Sequence, residues 1–210
     1  MNEVVLYDYW RSSASYRVRI ALNLLGVDYL TVPINLLEGA HKTPDYLALN
    51  PQGFVPTLVI DGRTLTQSLA IIEYLAELRP EYGLLPPDIV DRQKVRALAY
   101  AVAMDIHPIC NLHVVSHLVS MTDKADAREE WMKHFIADGL RKLEAMIGEG
   151  DGAFCFGDAP TMADLCLVPQ VYNARRWGLE LTPFQRIVDI DSSCAELPAF
   201  QAAHPDRVKP

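Results

Sequence analysis

Three observations in the 210-residue sequence predict an α/β first half joined to an all-α second half. Up to about residue 80, β-rich apolar runs alternate with amphipathic segments. Beyond it, nearly every hydrophobic stretch repeats at helical spacing. Between the two lies "LRPEYGLLPPDIVDR", whose prolines and glycine interrupt the periodicity. The linker is placed at Pro80 to Asp88, which gives domains 1–82 and 88–210. With 50% of residues hydrophobic, a well-packed core is feasible.

The first half opens with a strand over Val4 to Tyr9, followed by a hydroxyl cluster, Ser12, Ser13 and Ser15. Val18, Ala21, Leu22 and Leu25 then repeat at helical spacing, and Gly26 can end that helix in a left-handed cap. "DYLTVPIN" reads as a second strand and "TPDYLALN" as a short helix ending before Pro51. Asp61-Gly62 suits a tight turn between strands Thr57 to Ile60 and Arg63 to Thr66, and "SLAIIEYLAEL" closes the half as an amphipathic helix. The order β-α-β-α-β-β-α, with a right-handed parallel crossover and then an antiparallel hairpin, is that of a thioredoxin-like domain.

Helices are expected in the second half at about Arg92 to Ser120, Ala127 to Ile147, Met162 to Trp177, Phe184 to Cys194 and near the C-terminus. Pro108 should kink or divide the first of them. Thr161 and Asp164 have the spacing of a capping pair. "GEGDGAFCFGDAP" reads as a glycine-rich turn, too irregular for a phosphate loop.

The net charge of -8 argues against nucleic acid as a partner, because phosphate recognition relies on clustered Lys and Arg. No uncharged apolar run reaches the roughly 18 residues of a membrane span, and the N-terminus lacks the basic start of a signal peptide. The expectation is a cytoplasmic protein. Cys110, Cys155, Cys166 and Cys194 form no C-x-x-C pair and read as buried or semi-buried free thiols. His113 and His117 lie one helical turn apart with Cys110 nearby, but no convincing further ligand accompanies them, so no metal is expected.

Ser12, Ser13 and Ser15 sit between a strand and a helix, where free backbone N–H groups and the helix dipole favour negative charge. Taken alone, one serine caps the helix and the others line a polar turn. A thiolate could also be stabilised there. No G-x-S-x-G elbow surrounds them to suggest serine hydrolysis.

Four stretches, "SSASYRVRIAL", "NPQGFVPTL", "QSLAIIEYL" and "FGDAPTMADLCLVPQVYNARRWGLELTPF", change the weighing. Together they resemble the zeta class of the glutathione transferases, whose members include maleylacetoacetate isomerase and maleylpyruvate isomerase, and the resemblance covers almost the whole chain. It implies the glutathione transferase architecture, a thioredoxin-like glutathione-binding domain followed by an all-helical substrate-binding domain, with glutathione as cofactor and a homodimer as the assembly. It implies that Ser12 donates to the glutathione sulfur and that Val55 pairs its backbone with the cysteinyl backbone of the tripeptide. Pro56 would be cis, Gln67 and Ser68 would hold the γ-glutamyl end, and His41 and Gln52 would add contacts.

The same resemblance gives Arg11 and Arg176 the carboxylate and carbonyl oxygens of a small dicarboxylate enone, for which guanidinium offers bidentate pairing. It places His107 and Asn111 near the thiol. His113 falls where some relatives have arginine. Arg175 reads as a surface salt bridge, and Arg17 and Arg19 read as structural. Ala14 stands where the zeta signature commonly has Cys, so no protein thiol acts there. The implied reaction is reversible thiolate addition to a cis double bond, rotation and elimination, converting maleylacetoacetate to fumarylacetoacetate in tyrosine or phenylalanine degradation. Maleylpyruvate isomerisation in gentisate degradation, displacement of halide from an α-haloacid, and a non-catalytic interaction module are the alternatives.

Overall fold

The computed structural model describes residues 3–150 and 152–210; Met1, Asn2 and Asp151, which belong to the N-terminal segment and the glycine-rich turn read above, lie outside them. In β1 (Val5–Asp8) the side chains alternate, so Leu6 and Asp8 face inward. β1 pairs in parallel with β2 (Leu30–Pro33) and antiparallel with β3 (Thr57–Ile60), which pairs antiparallel with β4 (Arg63–Thr66). Among the described residues this gives one sheet, ordered β2-β1-β3-β4. The parallel crossover and the hairpin are both as the sequence predicts. Asp61 and Gly62 take φ of 49° and 73°, the left-handed pair that a two-residue hairpin turn requires.

Helix α1 (Ser13–Leu24) makes the crossover, buries Val18, Ile20, Ala21 and Leu22, and ends before Gly26 at φ 61°. The short α2 (Pro44–Leu49) and then α3 (Ser68–Leu78) follow, with Ile71, Ile72 and Leu75 of α3 buried. In the helical half, α4 (Ile89–Tyr100) runs into a π-helical stretch, Ala101–Ile106, and α5 (Leu112–Ser120) begins afresh after Pro108. The expected long helix is therefore divided, because proline cannot donate and Asn111 caps the new start by accepting from the Leu112 N–H at 2.8 Å. The change to π winding comes before the proline. It coincides with Gly139 on α6 (Ala127–Ile147), where an added Cβ would stand 2.3 Å from Ile106 Cγ1.

The remaining helices are α7 (Met162–Arg176), α8 (Gln185–Ala195), α9 (Pro198–Ala203) and α10 (Pro205–Val208). α7 opens with the predicted capping box. Both oxygens of the buried Asp164 carboxylate are engaged, one by the Thr161 N–H at 2.7 Å and the other by the Cys155 N–H at 2.7 Å. Glu144 of α6 caps α8 in turn, accepting from the N–H groups of Arg186 and Ile187 at 2.8 and 2.9 Å.

The chain packs as two units, Met1–Tyr82 with Ala195–Pro210, and Gly83–Cys194. This differs from the sequence division at one point: the C-terminal helices, read with the helical half, pack with the sheet. Polar anchors on α1 explain it. Asn23 Nδ2 donates to the Ala199 carbonyl at 3.1 Å, and Arg19 Nε donates to the Ala203 carbonyl at 3.0 Å. Arg19 also places Nη1 2.8 Å from both Asp8 carboxylate oxygens and Nη2 2.9 Å from the Trp10 carbonyl. Arg19 and Asp8 are both buried, as the structural reading of Arg19 requires.

Replacing Arg19 by Met strands a buried carboxylate and is expected to cost about 3–5 kcal/mol in urea unfolding. The double change Arg19→Met with Asp8→Leu should recover part of that loss. A single-variant loss below about 1 kcal/mol would show that the pair carries no such role.

Candidate active site

Ser12 is the N-cap of α1. It is extended (φ -70°, ψ 122°) and its Oγ accepts the Ser15 N–H at 3.2 Å, while its own N–H donates to the Tyr9 carbonyl at 2.8 Å. These bonds close the Tyr9–Ser12 turn against the start of a three-turn helix. Since the cap oxygen accepts from the backbone, the hydroxyl hydrogen can be given to something outside the helix. The helix dipole favours an anion at the same place. The geometry of the plain cap is therefore compatible with donation to a thiolate.

Arg11 lies half-buried in this turn, its Cζ 5.3 Å from the centre of the Trp10 ring and its Nη2 3.5 Å from the Tyr9 hydroxyl. Lys209 Nζ stands 5.4 Å from the same ring. Lys209 is not legible as a neighbour of this turn from the sequence; its approach follows from the C-terminal helices packing on α1.

The other side of the site is built by the segment from β2 to α3. Ile34, Tyr46 and Val55 form a buried cluster, against which Tyr7, Tyr9 and Ala40 pack, so the serine turn and the Val55 loop share one apolar support. The Phe54 carbonyl accepts from Tyr46 Oη at 2.6 Å and from Asn50 Nδ2 at 2.8 Å. The Val55-Pro56 bond is cis, as expected. Gly53 takes φ 63°, a conformation that favours glycine, and a Cβ there would press on the His41 carbonyl at 3.1 Å. His41 Nδ1 is buried with no hydrogen-bond partner among the described residues, and burial followed by the nearby Lys42 lowers its pKa, so the ring is neutral at pH 7.

Gln67 is exposed and takes φ 68° and ψ 110°, a left-handed conformation uncommon for a residue with a Cβ. Its Nε2 donates to Gln52 Oε1 at 2.8 Å, which joins two of the sequence candidates. Ser68, buried as the first residue of α3, accepts from Arg17 Nη1 at 3.2 Å. The first unit thus assembles Arg11, Ser12, His41, Gln52, Val55, Pro56, Gln67 and Ser68 on connected supports. Arg17, which the sequence reads as structural, is joined to this set through its bond to Ser68.

The second unit carries His107, Asn111 and Arg176. His107 ends the π-helical stretch, and Asn111, which spends its Oδ1 on capping α5, is half-buried four residues on. Arg176 is exposed at the last turn of α7 and donates to Asn173 Oδ1 at 3.3 Å. Its neighbour Arg175 is paired with Asp191 at 2.6 Å, the structural role expected of it. His113 is exposed on α5. Among the described residues no three His, Cys, Asp or Glu side chains come together as a metal site, and no helix is long and apolar enough to cross a membrane.

The cysteines are free thiols, three buried and Cys110 half-buried. Burial pushes the Cys110 thiol up to about 11 and raises Cys155 and Cys194 as well. A raised thiol pKa keeps the unreactive protonated form at neutral pH. Iodoacetamide at pH 7.5 should therefore modify Cys110 about two orders of magnitude more slowly than a free cysteine, with the rate climbing as pH rises towards 11. Peptide mass spectrometry reads this; labelling as fast as free cysteine would contradict the burial.

The N-terminal domain of the glutathione S-transferase family matches residues 2–77, and its C-terminal domain matches residues 125–203. Maleylacetoacetate isomerase of Rhizobium meliloti (strain 1021) is 64% identical over 211 residues, covering 100% of this chain and 99% of that protein. The mouse (Mus musculus) maleylacetoacetate isomerase is 43% identical, covering 97% of this chain and 93% of its own. Among solved structures, the holo form of a maleyl pyruvate isomerase, a bacterial zeta-class enzyme, superposes with TM-score 0.94 at 43% identity, covering 98% of each chain. Maleylacetoacetate isomerase from Anaeromyxobacter dehalogenans 2CP-1, with glutathione bound in its active site, superposes with TM-score 0.89 at 46% identity, covering 99% of this chain and 97% of that one. Both family domains match, and the likeness to these relatives runs along the full length: the chain belongs to the glutathione S-transferase family, and within it to the zeta class.

Proposed function

We propose that this chain is a glutathione-dependent cis–trans isomerase that converts maleylacetoacetate to fumarylacetoacetate. The observation that carries it is the Ser12 cap, whose oxygen accepts from Ser15 N–H and whose hydrogen is left for a sulfur. The residues fit the tripeptide. His41 Nδ1 is a buried polar atom in need of a partner, and the opening of α3 offers Ser68 and backbone N–H groups to a carboxylate.

When bound, glutathione supplies the sulfur nucleophile that adds to the cis double bond and leaves it after rotation, so the tripeptide is recovered unchanged. The chain's own work is positioning and charge stabilisation. Ser12 donates to the sulfur and, with the α1 N-terminus, holds it as thiolate at neutral pH. Val55, beside cis-Pro56, offers its backbone to the cysteinyl unit. Gln67 and Ser68 take the γ-glutamyl end, while His41 and Gln52 add contacts along the peptide. By family resemblance we assign Arg11 and Arg176 to the carboxylate and carbonyl oxygens of the substrate, where negative charge develops as sulfur adds, and His107 and Asn111 to contacts with glutathione or substrate. Ala14 supplies no thiol, which leaves the sulfur chemistry to the cofactor.

We assign glutathione to the N-terminal domain and the dicarboxylate enone to the helical domain of a cytoplasmic homodimer, on the support of family membership. Maleylpyruvate is the second substrate to consider, because the 0.94 superposition is with a maleyl pyruvate isomerase.

Ser12→Ala is expected to lower kcat about 10²-fold, the loss typical of removing one donor from a developing or stabilised anion. Arg176→Ala should raise KM for the enone or lower kcat while leaving glutathione affinity intact. Steady-state kinetics with glutathione titrations separate these effects. Wild-type kinetics in either variant would remove that residue from the site, and chloride release from an α-haloacid faster than isomerisation would change the reaction assigned.

A further inference from the structure

Arg17 is 2% exposed, and its Nη1 lies 3.2 Å from Ser68 Oγ. A guanidinium has donors only and stays protonated across the pH range of folded proteins. The direction of this bond is therefore fixed: Arg17 donates and Ser68 accepts. A hydroxyl that accepts from such a group keeps its own hydrogen for another acceptor. Within a helix, serine commonly gives that hydrogen back to the carbonyl four residues earlier. Ser68 is the first residue of α3, and the residue four before it, Thr64, belongs to β4, so no helical turn stands behind it. That leaves the hydrogen for a group at the opening of the helix, where first-turn N–H groups favour an anion.

We propose that Arg17 is a positioning residue for glutathione: by donating to Ser68 it fixes that hydroxyl as a hydrogen-bond donor to the γ-glutamyl α-carboxylate. The inference rests on the glutathione reading above and names a residue that touches Ser68, not the ligand. A serine free to rotate can present either a hydrogen or a lone pair to an incoming group. Arg17 removes the repulsive choice before the ligand arrives. Lysine, also a donor without an acceptor, can preserve the direction; glutamine, whose amide both donates and accepts, cannot.

The test measures dissociation constants for two peptides, glutathione and γ-aminobutyryl-cysteinylglycine, which lacks only the α-carboxylate. The proteins are the wild type, Arg17→Gln, Arg17→Lys, Ser68→Ala and the double variant Arg17→Gln with Ser68→Ala. Arg17→Gln and Ser68→Ala should each weaken glutathione binding about tenfold, as for a hydrogen bond to a charged group. The double variant should be no weaker than Ser68→Ala by more than about twofold, because both changes remove one interaction. Arg17→Lys should stay within about threefold of wild type, and the peptide without the carboxylate should bind all variants alike.

Multiplying effects in the double variant, or an equal loss for both peptides in Arg17→Gln, would make Arg17 a packing residue and overturn the proposal. If Arg17→Gln does not fold, Ser68→Ala still decides: an equal loss for both peptides means that Ser68 does not face the carboxylate, and the proposal falls. With Ser68→Ala selective, a Arg17→Lys protein that matches wild type supports it. Failure of the wild type to bind glutathione would overturn the functional reading itself, and the inference with it.

Discussion

The Arg19 guanidinium is the constraint on which the glutathione-binding half depends. It binds the Asp8 carboxylate at the end of β1, the Trp10 carbonyl in the following turn and the Ala203 carbonyl of α9. One buried cation thus ties α1 to the end of β1 and its following turn, and to α9 184 residues further along the chain. Burying an ion pair costs several kcal/mol of desolvation per ion and is offset only when the other hydrogen-bonding capacity is filled. Here the two carbonyls fill it. The consequence for function is local: with Asp8 and Trp10 tied to α1, the turn carrying Arg11 and Ser12 has its direction set from both ends.

Hydroxyl groups at helix starts recur in this chain, and the direction of their hydrogen bonds separates scaffold from site. Thr161 Oγ1 accepts from the Ala163 N–H at 3.3 Å and donates to Asp164 Oδ2 at 3.0 Å, so its capacity is spent inside the capping box. Ser12 accepts from a backbone N–H, and Ser68 accepts from a guanidinium. Both accept from groups that can only donate, which leaves their hydrogens for a ligand. The same residue chemistry at the same kind of position gives a closed structural cap in one case and, in the others, hydroxyls whose hydrogens are not spent on the cap.

Much of this was legible in the sequence because it is local. Strand alternation, helical spacing, the Asp61-Gly62 turn, the Gly26 cap and the Thr161–Asp164 box depend on a few adjacent residues, and each is found where those residues place it. The cis Val55-Pro56 bond and the roles around Ser12 came from resemblance, since X-Pro chemistry permits either isomer. What could not be read was nonlocal. The Arg17–Ser68 bond spans 51 residues and the Arg19–Ala203 bond 184, so neither leaves a periodic trace. The π winding at Ala101–Ile106 is hidden because apolar spacing there fits an ordinary helix, and its partner Gly139 looks like any glycine inside a helix. Gln67 at positive φ is equally silent: nothing in the side chain requires it, and the surrounding fold imposes it.

On the proposed reading the chain isomerises a cis enone with a sulfur it borrows and returns. The most direct measurement incubates the purified protein with maleylacetoacetate and, separately, maleylpyruvate, each with and without glutathione, while following the cis isomer and the free tripeptide. Many turnovers to the trans product are expected only when glutathione is present, with the tripeptide recovered in full and maleylacetoacetate preferred. Turnover without glutathione, or consumption of one tripeptide per substrate, would contradict it.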